Sequence, residues 1–434
     1  MLGYYFKLAL RSFRRNKVLT ALMVLAIALG IGASMTTLTV FRVLSGDPIP
    51  SKSDRLFYVR MDPRPARGYT PGEEPESQMT RFDAEELLRQ KHARRQAMMV
   101  GGSAAVQSEG RTAKPFRIDS RHATADFFPM FEVPFLYGTP WSDKDDERHG
   151  RVAVIGRKLN DKLFGGGNSV GRTLLVEDVG VRIVGVIDDW SPAPYFFDIT
   201  NGGYGGSEQL FLPFSTALDL KLGRRGNMNC YGDQPTNDQL GLNAPCTWIQ
   251  YWVELDDLGQ AREFKAYLDN YSAQQKSDGR FERPANTRLH DVMDWLDTNR
   301  VVPGDVRLQV WLALGFLLVC LLNTVGLLLA KFLRRSGEIG VRRALGASRR
   351  AIFLQALVEA GTVGAAGGIG GLALALLGLW GVRQQPTNYA DLARLDLTML
   401  LATLAFSIAV SVLAGLLPAW RAMQVMPAIQ LKSQ

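Results

Sequence analysis

The sequence has 434 residues, is 47% apolar and 21% charged, and carries a net charge of +8 with mean hydropathy near zero. That average mixes four long apolar stretches with a remainder of soluble-protein composition, so a wholly soluble fold is excluded. Three cysteines and four scattered histidines (His92, His122, His149, His290), with no H-E-x-x-H and no Cys partner at ligand spacing, point to no metal site.

In chain order, residues 1–17 place Leu2, Tyr5, Phe6, Ala9 and Phe13 at helical spacing, with Lys7, Arg11 and Arg14 largely opposite. This pattern predicts an amphipathic helix in a headgroup layer. Residues 18–41 then carry no formal charge, and a first span is expected at 18–44. The run exceeds a signal peptide's apolar core, and its small-residue patch, Gly32-Ala33-Ser34, lies inside it. It reads as an uncleaved anchor.

Residues 45–305 form a large domain of mixed α/β character. Strands are expected at 56–61, 152–155, 173–177, 181–187 and 249–255, each short and bounded by Gly, Asp or Pro. Helices are expected at 82–93 and 261–271. Residues 64–76 read as an exposed loop, and 199–206 and 221–245 as irregular. The acidic clusters at 145–147 and 188–189 read as solvated turns. Cys230 and Cys246 lie 16 positions apart in this domain. An oxidising compartment favours a disulfide, worth at best about 3 kcal/mol; the alternative is two unrelated thiols. Cys320 lies in a span and reads as a packed apolar residue.

The second span is expected at 306–330, the third at 351–382 and the fourth at 397–418, with short segments at 331–350, 383–396 and 419–434. The third span is rich in small residues. Gly364/Gly368 and Gly367/Gly371 are G-x-x-x-G pairs suited to close helix packing, within the chain or between chains. Glu359 precedes its charge-free run and is open to snorkelling, to pairing with Arg349 or Arg350, or to a coupling role. Residues 1–17 hold five basic residues and no acid, and residues 331–350 hold seven against one. This distribution puts both termini and the 331–350 loop in the cytoplasm, and the large domain outside. Because the basic residues hug the span ends, topology accounts for them and no nucleic-acid partner is expected.

No phosphate-binding loop and no G-x-S-x-G elbow occurs, and no residue is expected to be catalytic. Within 331–350, residues 338–345 have room for two helical turns. Gly346 suits the stop, and Ser348 suits the cap of the next helix.

The run GEIGVRRALGASRR at 337–350, with Gln355 and Glu359, resembles the coupling segment of MacB/FtsX/LolC-type ABC transporter permeases. GLLPAWRA at 415–422 with MPAI at 426–429 is similar to that family's closing motif, and ALRSFRRNK at 9–17 to its start. VAVIG at 152–156, LFG at 163–165, Val170-Gly171 and IVGVI at 183–187 resemble the MacB-type periplasmic core. The resemblance implies a multi-pass inner-membrane protein with four transmembrane helices and a periplasmic α/β domain between the first two. It implies a dimer of permeases whose spans act as a lever, the first two forming a stalk, driven by a separate ATPase that holds ATP and Mg. Carried onto this chain, Glu338, Ile339, Val341, Arg342, Arg343, Ala344, Leu345, Gly346, Ala347 and Ser348 contact that ATPase. MacB-type members also work with a periplasmic adaptor and an outer-membrane duct. MacB carries its ATPase in the same chain, whereas here the ATPase is expected on a separate subunit, and residues 230–246 do not fit the family pattern. LolC-like lipoprotein release, FtsX-like signalling to a cell-wall hydrolase and an ATPase-independent scaffold or sensor are the alternatives.

Overall fold

The computed structural model describes residues 3, 8, 13, 17–110, 114–204, 208–232, 238–302, 304–384 and 397–424. The amphipathic helix expected at 1–17 lies outside the described residues except at positions 3, 8, 13 and 17. So do the 383–396 loop beyond residue 384 and the tail from 425. The chain forms two units: residues 1–45 with 302–434, and residues 46–301.

Helix α1 (Lys17–Ser45) opens the first unit. The second unit then holds β1 (Leu56–Met61), β2 (Met79–Thr80), α2 (Arg81–Gln90), β3 (Arg95–Ser108), β4 (Phe116–Ala123), α3 (Phe127–Met130), β5 (Phe135–Gly138) and α4 (Asp143–Glu147). It continues with β6 (Val152–Gly156), α5 (Arg157–Phe164), β7 (Thr173–Val176), β8 (Val179–Ile187), β9 (Leu210–Pro213), α6 (Phe214–Asp219), β10 (Gly223–Arg225) and β11 (Asn229–Cys230). β12 (Cys246–Glu254), α7 (Leu258–Ser277), β13 (Thr287–Asp291) and α8 (Val292–Thr298) complete it.

The strands run β13-β1-β12-β3-β4-β9-β6-β8-β5, with shorter strands appended. Pairing is antiparallel except for β4 with β9 and β6 with β8. β3 is long enough to serve two cores. Its start pairs with β12, Arg95 opposite Glu254, and its end pairs with β7, Val106 opposite Val176. Around the first half, Val59, Leu87, Trp248, Val253, Phe264 and Leu268 form one apolar core. Around the second, Val106, Ile155, Leu174, Val181, Ile183 and Leu210 form another. Local signals agree with these elements: Thr80 Oγ1 accepts from the Asp83 amide at the start of α2, and the Asp257 side chain accepts from the Gln260 amide at the start of α7.

The expected strands and helices of this unit are present as β1, β6, β7, β8, β12, α2 and α7. Three readings need correction. Residues 221–245 are not wholly irregular, because β10 zips onto β3 and β11 onto β12. Residues 64–76 are exposed at the tip but pinned at the base: Arg64 Nε donates to Asp62 Oδ1 at 2.7 Å, and Arg283 bridges Asp62 and Glu73. The acidic run at 145–147 is the end of a short helix, and Asp146 turns inward to accept the Ala125 amide at 2.8 Å.

In the first unit, α9 (Gly304–Arg334), α10 (Ser336–Ala344), α11 (Arg349–Arg383) and α12 (Leu397–Met423) follow. The four long helices outrun the expected spans at most of their ends, because helical hydrogen bonding continues past the apolar run into the basic flanks. α9 and α11 each pack along α1 and along α12.

Candidate functional site

The segment that connects α9 to α11 is a short helix seated on the ends of the long ones. α9 ends at Arg334, Arg335 makes the turn, and α10 follows. Gly346 takes φ +101°, a conformation that favours glycine, and so closes α10. Ser348 Oγ then accepts from the Ala351 amide at 3.2 Å and starts α11.

The seat is polar and specific. Arg335 Nε donates to Glu338 Oε2 at 3.1 Å, and Arg342 donates to Gln355 Oε1 of α11 at 3.0 Å. Arg343 reaches the Met423 carbonyl of α12 at 3.5 Å. Gly340 is buried, and Ile339 packs against the apolar core of the helices. The void left in the seat is only about 20 Å³. With those groups turned inward, Val341, Ala344, Leu345, Gly346 and Ser348 face outward, and Leu345 is 83% exposed.

The ten expected contact residues are therefore divided. Glu338, Ile339, Arg342 and Arg343 hold α10 in place, while Val341, Ala344, Leu345, Gly346 and Ser348 form the free face and Ala347 sits at its edge. Glu359 meets neither Arg349 nor Arg350. Its Oε1 lies 2.7 Å from Lys331 Nζ, and its Oε2 accepts from Arg335 at 3.3 Å. Sequence reasoning missed Lys331 and Arg335. The available signal was electrostatic: an acid at the edge of an apolar span needs a cation at the same depth.

A family profile described as MacB-like periplasmic core domain matches residues 20–271, more than half of the chain. The chain belongs to the MacB-like ABC transporter permeases. A second profile, FtsX-like permease C-terminal, matches residues 310–427. The pyoverdine export ATP-binding/permease protein PvdT of Pseudomonas putida is 25% identical over 435 residues, covering 96% of this permease and 58% of PvdT. The macrolide export ATP-binding/permease protein MacB of an Azoarcus species is 25% identical over 439 residues, covering 98% and 59%. The permease thus spans under two thirds of the length of these relatives. The periplasmic region of MacB from Actinobacillus actinomycetemcomitans aligns at 14% identity with a TM-score of 0.37, over 59% of this chain and 97% of that one.

The permease is a multi-pass inner-membrane protein with four spans among the described residues. The glycines of its third span, α11, face two neighbours in the same chain. A Cβ on Gly367 would lie 2.6 Å from Ile27 Cγ2 of α1, and one on Gly371 3.0 Å from Ile31 Cβ. A Cβ on Gly368 would lie 2.5 Å from Ser407 Oγ of α12, whose hydroxyl donates to the Gly364 carbonyl at 2.7 Å. The two G-x-x-x-G pairs thus clamp α11 between the first and fourth spans.

In the α/β unit, Cys230 and Cys246 sit opposite each other on β11 and β12 and are joined as a disulfide. Arg121, fully buried, bridges Asp198 at 2.6 Å and Glu208. Burial pushes the Glu208 carboxyl above its ordinary range, against the pull of Arg121. An open cleft of about 710 Å³ is lined by Arg89, Lys91 and Arg95 together with Asp126, Asp143 and Asp146. Burial raises Asp146 to about 7, although the Ala125 amide opposes the shift.

Proposed function

We propose that this chain is the membrane subunit of a mechanotransmitting exporter, driven by an ABC ATPase on a separate subunit that carries the ATP and Mg. In this reading α10 is the coupling helix. Its free face, Val341, Ala344, Leu345, Gly346 and Ser348, is the ATPase contact, while Glu338, Ile339, Arg342 and Arg343 transmit force to the long helices. Both termini and α10 lie in the cytoplasm, as the basic flanks favour. The chain works as a dimer with a second copy or a paralogue. The domain between the first two spans acts on a substrate already in the periplasm, together with an adaptor and an outer-membrane duct. The tasks for which the relatives are named, pyoverdine export and macrolide export, fit this class. The chain itself binds no cofactor.

The observation that carries the reading is the division of α10. A helix tied down by inward arginines presents an apolar tip, Leu345, at 83% exposure. With Val341, 48% exposed one helical turn earlier, Leu345 forms a small contiguous apolar face of the kind that anchors a protein interface. Leu345→Asp should abolish stimulation of the ATPase while leaving membrane insertion intact. Normal stimulation in that variant would refute the assignment.

A further inference from the structure

Lys331 lies at the end of α9, and its side chain is wholly enclosed within the helices. A lysine near a span end ordinarily extends its ammonium to water. This one points inward to Glu359 of α11, Nζ to Oε1 at 2.7 Å, and reaches Thr20 Oγ1 of α1 at 3.5 Å. The ring of Phe13 lies 5.6 Å from the same ammonium. Glu359 is equally enclosed, and its second oxygen takes Arg335, which in turn holds Glu338 of α10. Lys331, Glu359, Arg335 and Glu338 thus form a string of alternating charge. It joins the second span, the turn, the coupling helix and the third span.

The string matters because of what the helices do elsewhere. Among the described residues, α9 and α11 pack extensively along α1 and α12 and at most marginally along each other. Yet these are the two helices that the coupling helix connects. The pair Lys331–Glu359 ties them directly, and the coupling helix joins the same pair through Arg335. Charges buried in a membrane protein are costly and persist where they serve a function.

We infer that Lys331, Glu359 and Arg335 are positioning residues for coupling, binding the second and third spans and α10 into one moving body. This rests on the reading of α10 as the ATPase contact. A push on α10 moves the two spans together only while the string is closed. With the string open, the ATPase still docks on the free face, but the two spans respond separately.

The experiment uses the full chain reconstituted with its ATPase, in a Cys320→Ala background. Spin labels replace Leu308 and Trp380, exposed positions near the other ends of α9 and α11. In the parent protein the label distance should stay constant when ATP is added. In Lys331→Met and Glu359→Gln it should broaden on ATP addition and ATPase stimulation should be lost, while ATPase binding persists. The apolar pair Lys331→Met/Glu359→Leu controls for folding, because an apolar replacement relieves the desolvation penalty. A folded apolar pair that remains uncoupled supports the inference; one that couples normally overturns it, since the charges would then serve stability alone. If the ATPase fails to bind the parent protein, the α10 reading fails instead. If binding depends on Leu345 but the charge variants couple normally, only this inference fails.

Discussion

Substituting Gly368 by alanine tests how the third span is held. A Cβ at this position would lie 2.8 Å from Ser407 Cβ and 2.5 Å from Ser407 Oγ. Rotation of the serine moves only the hydroxyl, so α11 and α12 must part until the carbons recover ordinary contact beyond 3.4 Å. Overpacking of this kind costs ~1–3 kcal/mol. Parting the helices also stretches the bond from Ser407 Oγ to the Gly364 carbonyl, now 2.7 Å. Interhelical bonds in membranes average ~0.6 kcal/mol. Against this, alanine gains ~1 kcal/mol of helix propensity over glycine. The net expectation is a loss of about 0.5–2.5 kcal/mol. Gly361→Ala on the same helix is the control, because its Cβ would meet nothing nearer than 3.7 Å. Thermal unfolding in detergent should show Gly368→Ala melting below the parent and Gly361→Ala at or above it. Ser407→Gly should rescue Gly368→Ala. Equal melting of the two alanine variants, or a rescue that fails in a folded protein, would refute the clamp.

Two further outcomes concern the α/β unit. Asp146 has its carboxyl raised from 3.8 to about 7 by burial, so the unfolded chain ionises first as pH rises. Stability is lost across that window and stays lost above it. Asp146→Asn should therefore be more stable than the parent at pH 8, by up to about 4 kcal/mol, and equal to it near pH 4; a variant weaker at pH 8 would show that the charge is compensated. Arg121→Met leaves Asp198 and Glu208 buried without their cation. Denaturant titration should show a loss of about 3–5 kcal/mol, and a change below about 1 kcal/mol would contradict the bridge.

The four spans were legible because charge-free runs of such length have few other uses. The stop at Gly346 and the cap at Ser348 were legible because φ and side-chain chemistry act locally. The G-x-x-x-G pairs announced close packing, but not that one faces Ile27 and the other Ser407, since those partners come from distant chain segments. β3 gave no strand signal. It is rich in Met, Ala, Gly and Gln and mostly buried, which erases the period-two alternation. Asp146 was misread for a related reason: a carboxylate in an acidic run looks solvated until the Ala125 amide is brought to it. The coupling segment was recognisable as a motif, but its division into a seated and a free face was not. That division depends on Gln355, Met423 and the packing around Ile339. Glu359 was noticed and given the wrong partners, because Lys331 becomes its neighbour only when α9 extends past the apolar run.

The central claim is that the free face of α10 receives an ABC ATPase. A photo-crosslinking amino acid placed in turn at Leu345, Val341 and Ile339 in intact cells tests it most directly. The account predicts that Leu345 and Val341 capture an ABC ATPase identifiable by mass spectrometry, and that Ile339, packed inward, does not. Capture through Ile339 with none through Leu345 or Val341, or no ATPase at any of the three in a correctly inserted protein, would contradict it.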